Sequence, residues 1–159
     1  MLRGSHRKVS IMDTGQAFLL LEATATIFMA GVLWTMQLLN YPLLALVGTA
    51  AFPRYETAHN RRFALVVVPG VLAAAAGGVG LVASRPGQVP LWAPACELAL
   101  LLVVIISTAA LQGRQHGALA GGFDQRTLSL LVRSNWIRVA AWSAAAAIAL
   151  WMCHRVFLP

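Results

Sequence analysis

Charge is scarce in this chain, and acid scarcer still. Only 11% of its 159 residues are charged and five are acidic. A soluble domain carries about a quarter charged residues, so there is too little polar surface here to cover a particle in water. Intrinsic disorder fails for the opposite reason, because 59% of the residues are apolar. Lysine occurs once, at Lys8, and the other eleven of the 12 basic residues are Arg. They lie between apolar runs, with no basic block and no aromatic–basic interleaving. The net charge of +7 therefore does not make nucleic acid an expected partner. Arginines at the ends of apolar runs are instead what lipid headgroups attract. The two cysteines, Cys96 and Cys153, form no C-x-x-C, which argues against thiol–disulfide relay chemistry. Each is expected as a small apolar packing residue, with a structural disulfide as the lesser alternative.

What remains is long apolar runs. A bilayer crossing needs about 20 mainly apolar residues, and four segments qualify, at about 15–40, 57–83, 91–113 and 130–153. Backbone groups in lipid must bond internally, and no period of two marks a barrel strand, so the spans are expected as helices. With no repeat and no composition shift, residues 1–159 read as a single all-α transmembrane domain, an antiparallel up-down-up-down four-helix bundle. Tyr41-Pro42 is expected to kink or end the first helix, and Pro53 to start the second. Pro69 is expected to kink that second helix, and Gly113, Gly117, Gly121 and Gly122 to loosen the third connection. Small residues at 73–80 and 144–149 suggest close packing of the second helix on the fourth.

Arg3, Arg7 and Lys8 precede an apolar run, as in a signal peptide, but Glu22 interrupts it and the segment is expected to be retained. Both termini then lie on one face of the membrane, side A. The opposite face, side B, carries Arg54, Arg61, Arg62, Arg114, Arg126, Arg133 and Arg138. By count, side B is cytoplasmic and the termini non-cytoplasmic, in a multi-pass protein of the cell membrane.

Four helix ends converge on side B, and each carries polar residues at helical spacing. They are Trp34, Gln37 and Tyr41; Glu56, His59 and Arg62; Thr108, Gln112 and His116; and Asn135, Arg138 and Trp142. Spacings of three and four put each set on one helix face. Polar side chains at membrane depth are costly and normally face the bundle interior, so a pocket is expected here. His59, His116, Arg62, Arg138 and Asn135 are the candidate catalytic groups. Histidine supplies a base, and arginine with Asn and Gln holds anionic oxygen. Trp34, Gln37, Tyr41, Trp136 and Trp142 are candidates to wall a lipophilic ligand. Glu56, His59 and His116 also have the composition of a two-His-one-carboxylate metal site, so copper or iron stands open beside a metal-free site. Glu22 and Glu97, at similar depth near side A, are each expected to pair with Arg155, Arg85 or His154, or to snorkel, with paired acids that carry protons or bind a cation as the alternative.

These side-B residues, namely Trp34-x-x-Gln37 with Tyr41-Pro42, His59-x-Arg61-Arg62, Ser107-Thr108 with His116, and Asn135-Trp136-Ile137-Arg138 with Trp142, also carry a resemblance. They resemble a family of small bacterial four-helix integral membrane proteins, distantly similar to the anthrone-oxygenase-like membrane proteins. That resemblance implies an oxygenase or related oxidoreductase acting on lipophilic aromatic substrates without an evident cofactor. Two other classes stand against it. One is a non-catalytic membrane subunit or assembly factor, in which the polar stripes serve helix recognition. The other is an ion or proton transporter, which would require a homo-oligomer because four helices seldom enclose a path.

Overall fold

A computed structural model of the chain describes residues 12–158, which are helical apart from short connections. Arg3, Arg7 and Lys8 lie outside the described residues. Four helices are long and apolar enough to cross a membrane: α1 Thr14–Leu44, α2 Phe52–Ser84, α3 Trp92–Gly121 and α4 Gln125–Phe157. They alternate in direction. Leu19, Leu81, Val89, Ala93 and Met152 pack together at side A, and Met36, Tyr41, Phe52, Leu119 and Leu131 at side B. The chain is a multi-pass membrane protein built as an antiparallel four-helix bundle.

Its polarity is that of a membrane bundle. Leu38, Leu65 and Leu72 are 64%, 75% and 63% exposed, while Glu22, Gln37, Glu56, Glu97, Gln112, Asn135 and Arg138 are buried. Apolar side chains outside and polar ones inside suit a lipid surround, because lipid cannot hydrogen-bond a carboxylate or an amide.

Every helix runs further than its apolar stretch predicts. At side B, α1 continues through Pro42, α2 begins at Phe52 and α3 continues to Gly121. In these extensions Glu56 faces inward and Arg54 and Arg114 outward, so each added turn stays amphipathic and nothing obliges the helix to stop. Proline has no N–H to give, and its ring crowds the carbonyl one turn earlier. Just before Pro42 the chain widens into a π-helical turn, Met36–Asn40, and Tyr41 N–H reaches back to Met36 O. Pro42 therefore sits within α1 and does not end it. Gly113, Gly117 and Gly121 likewise lie inside α3, so the third connection is only residues 122–124. Pro69 is spanned by one uninterrupted helix.

Side-chain caps set two of the starts. Asp13 accepts from Gln16 N at 2.8 Å, and Gln16 Oε1 accepts from Asp13 N at 3.1 Å, a reciprocal box that opens α1. Asp124 accepts from Thr127 N and Oγ1 at 2.7 and 2.6 Å and opens α4. Those hydrogen bonds from Thr127 hold the exposed Asp124 carboxyl below its usual range.

Helix adjacency differs from the sequence expectation. α1 packs on α2 and α4, and α3 on α4 and more loosely on α2. The second and fourth helices are diagonal, so their small residues do not meet. Gly77 and Gly80 of α2 instead face Glu22 and Phe18 of α1, and Gly78 faces Leu98 of α3. A Cβ at Gly77 would lie 2.8 Å from Glu22 Cα, so backbone would have to move. Gly77→Ala is expected to destabilise the protein by about 1–3 kcal/mol, the usual cost of overpacking. Gly31→Ala, with nothing within 4 Å, is the near-neutral control in the same detergent melt.

Candidate functional site

The side-B end of the bundle holds two polar groups of side chains, one between α1 and α4 and one between α2 and α3. In the first, Arg138 is the anchor. Its Nε and Nη2 donate to Asn135 Oδ1 at 2.9 and 2.5 Å, and Nη2 donates to Tyr41 OH at 2.9 Å. Asn135 Nδ2 then donates to Gln37 Oε1 at 2.7 Å. Asn135 and Arg138 share a face because they are three residues apart on α4, and both are buried. No carboxylate lies within ion-pair distance of this guanidinium among the described residues. Its charge is solvated by neutral oxygens alone, and Nη1 has no protein acceptor among the described residues.

In the second group Glu56, fully buried on α2, receives a 2.5 Å contact from His116 Nδ1 on α3. Asn60 Nδ2 donates to the same carboxylate oxygen at 3.3 Å. With Glu56 accepting from Nδ1–H, the imidazole Nε2 is left as a proton acceptor, the arrangement by which a carboxylate orients a general base. The two groups meet at Tyr41, whose ring centroid is 6.3 Å from that of His116.

Around this dyad the buried polar inventory does not close. Glu56 Oε2, His59 Nε2, Asn40 Oδ1 and both amide atoms of Gln112 have no protein partner. Buried groups of this kind are normally paired, so this end of the bundle has hydrogen-bonding capacity that its own side chains do not use. Gln112 is fully buried at the end of a second π-helical turn, Thr108–Gln112, closed by Gly113 N–H on Thr108 O. Such turns recur at functional sites, where they re-aim a side chain without ending the helix. Asn40 and Asn60 carried no signal in the sequence pattern. Gln112 did belong to the α3 stripe, and its mid-span polarity was the available signal.

Other expected site residues lie elsewhere. Trp34 is half exposed on the outer surface, donates from Nε1 to Ser143 Oγ at 3.0 Å and stacks edge-on with Trp136 at 5.5 Å. Trp136 follows Asn135, so its side chain points about 100° away. These two tryptophans form an outward pair on the α1–α4 seam, not a pocket wall. Arg62 is exposed and does not join Arg138. His59 is stacked between Tyr55 and Phe63, its centroid 6.1 Å from that of His116. No group of three His, Cys, Asp or Glu side chains arranged to hold a metal occurs among the described residues. Near side A, Glu22 and Glu97 neither pair with Arg155, Arg85 or His154 nor snorkel. Both are buried without a basic partner, because α2 presents glycine where Glu22 enters the bundle. Cys96 and Cys153 are free thiols, so the disulfide alternative falls.

Trp142 does stand in the interior, beside a groove of about 340 Å³ between α2 and α3. Phe63, Val67, Val71 and Ile105 form its apolar sides, and Arg138 and Trp142 lie at its inner edge. Asn135→Ala would strip Arg138 and Gln37 of their buried partner at once. It is expected to lower stability by about 1–3 kcal/mol, the cost of orphaned buried polar groups, in chemical unfolding of the detergent-solubilised protein. No protein family, curated protein or solved structure matches this chain, so the chemistry of the site rests on its own residues.

Proposed function

We propose that this membrane protein is an oxidoreductase-like enzyme that takes a lipophilic, oxygen-bearing molecule from the bilayer and removes a proton from it. The observation that carries this reading is the apolar groove ending on Arg138, a buried guanidinium with no carboxylate partner. The groove suits a flat hydrocarbon body. Arg138 suits the oxygen of an enolate, phenolate or carboxylate, since charge-assisted hydrogen bonds to arginine are the strong ones.

The base is His116, oriented by Glu56. Its Nε2 takes a proton from an acidic C–H or O–H of the substrate, and the negative charge that develops is held by Arg138, one tyrosine ring away. In the oxygenase form implied by the likeness to anthrone oxygenases, the resulting carbanion gives an electron pair to O₂ and forms a C–O bond. Protonation and loss of water then leave a carbonyl. The unpartnered Gln112, Glu56 and His59 atoms suit the polar portion of such a substrate, or water that moves with it. The arginine excess at side B favours placing this end at the cytoplasmic face of a cell membrane.

The two polar groups divide the enzyme reading from the subunit reading. Gln37, Asn135, Arg138 and Tyr41 satisfy one another, as a structural network does. The group around Glu56 and His116 does not, which favours chemistry there. Anthrone in liposomes containing the protein is the probe, with O₂ uptake and carbonyl product as readouts. Wild type is expected to consume O₂. His116→Ala is expected to lose about 10²–10⁴-fold in rate, the range for a general base, in protein that still folds. No uptake above protein-free liposomes by folded wild type overturns the oxidoreductase reading. Unchanged uptake in His116→Ala removes the base.

A further inference from the structure

Glu22 and Glu97 come from diagonally opposed helices, α1 and α3, and line one small enclosed cavity with Ala74, Leu101 and Trp142. The cavity leaves about 10 Å³ for the centre of a water molecule, which is room for one water. Glu22 Oε1 accepts from Thr26 Oγ1 at 2.7 Å. The other three carboxyl oxygens, Glu22 Oε2 and both of Glu97, are buried without a partner. So is Trp142 Nε1–H, on a side chain only 3% exposed. Both carboxyl groups line that one small cavity, but two carboxylates are both acceptors and cannot bond each other.

We infer that Glu22 and Glu97 form a proton-binding site inside the membrane, holding one proton between them beside a single water that Trp142 anchors. One proton turns two orphaned acceptors into an O–H···O pair. One water accepts from Trp142 Nε1–H and donates to the remaining carboxyl oxygen. All four unpaired groups are thereby satisfied, and the net charge left in the cavity falls from two to one. A sodium ion would fit less well, because the cavity supplies few oxygens and Trp142 presents a donor that a cation repels.

The surroundings supply no competing charge. No basic side chain is within ion-pair distance of either carboxyl group among the described residues. α2 contributes Ala74 and Gly77, which cannot titrate. From α4 the Cys153 thiol is the titratable group that senses both carboxylates. The site shares Trp142 and Val104 with the groove that ends on Arg138, so it stands directly behind that groove. It does not depend on any activity there.

Infrared spectroscopy of the protein in liposomes tests this at neutral pH. Wild type is expected to give a protonated-carboxyl carbonyl band, retained in Glu56→Gln and lost in each of Glu22→Gln and Glu97→Gln, where the new amide donates to the remaining carboxylate in place of the shared proton. The double variant E22Q/E97Q is expected to lack the band as well. Raising the pH is expected to remove the band from wild type and to lower its melting temperature. Glu97→Gln, which cannot form a second anion, is expected to melt with a weaker alkaline dependence. Absence of the band in folded wild type, or its persistence in E22Q/E97Q, overturns the proposal. So does a melting temperature that rises with sodium at constant ionic strength, since that identifies a cation in the cavity. Should E22Q/E97Q fail to fold, an alkaline melting profile identical in wild type and Glu97→Gln overturns it equally.

Discussion

A guanidinium at membrane depth has to be solvated by something other than water or lipid, and the side-B half of this bundle is arranged around doing so for Arg138. Asn135 accepts twice from it, Tyr41 once, and Gln37 takes up the amide that Asn135 would otherwise leave unpaired. Those four residues lock α1 to α4 in one register, because none can shift by a turn without orphaning the next. The absence of a carboxylate partner among the described residues matters as much. Were one present, the charge would be neutralised and the groove beside it would be an ordinary apolar crevice between helices. As built, an apolar recess ends on an available positive charge, which is the physical basis for expecting a lipophilic anion or a developing oxyanion there.

The bundle contains a second electrostatic problem of opposite sign. Glu22 and Glu97 enter the interior near side A through positions where α2 offers glycine and α4 offers alanine and tryptophan. Arg138 cannot serve as their counter-ion, because it is held at the other end by its own acceptors. The two clusters are separated mainly by Trp142 and the apolar layer around Met29, Leu33 and Val104. A positive site and an acidic site are thus held apart in a medium where their attraction would be strong. Only well-anchored helices can maintain that, and the glycine contacts of α1 with α2 and the Gln37–Asn135 bond of α1 with α4 provide the anchoring.

The two π-helical turns explain much of how the side-B end departs from its sequence pattern. In an uninterrupted α-helix, Trp34, Gln37 and Tyr41 would share a face. One extra residue in a turn rotates everything beyond it by about 100°. Trp34, before the turn, faces outward to Ser143 and Trp136, while Tyr41, beyond it, faces Arg138. On α3 the corresponding turn ends at the buried Gln112, one helical turn before His116 meets Glu56. Two turns of the same kind, at the same depth on diagonal helices, shape one site.

The membrane character, the count of four helices, their alternation and the concentration of polar residues at side B were all determined by sequence alone. Each depends on local composition: apolar length sets a span, and polar residues three and four apart set a face. Glu56 with His116, and Asn135 with Arg138, were legible as candidates for the same reason. What only the tertiary structure decided was which faces meet. Helix adjacency is non-local, so the small residues of α2 found α1 and α3 instead of α4, and Glu22 found Glu97 instead of an arginine. Proline carries a missing hydrogen bond in its sequence, but whether the helix ends or widens into a π turn depends on what its neighbours can still satisfy. That choice turned Trp34 outward and brought Tyr41 and Arg138 together.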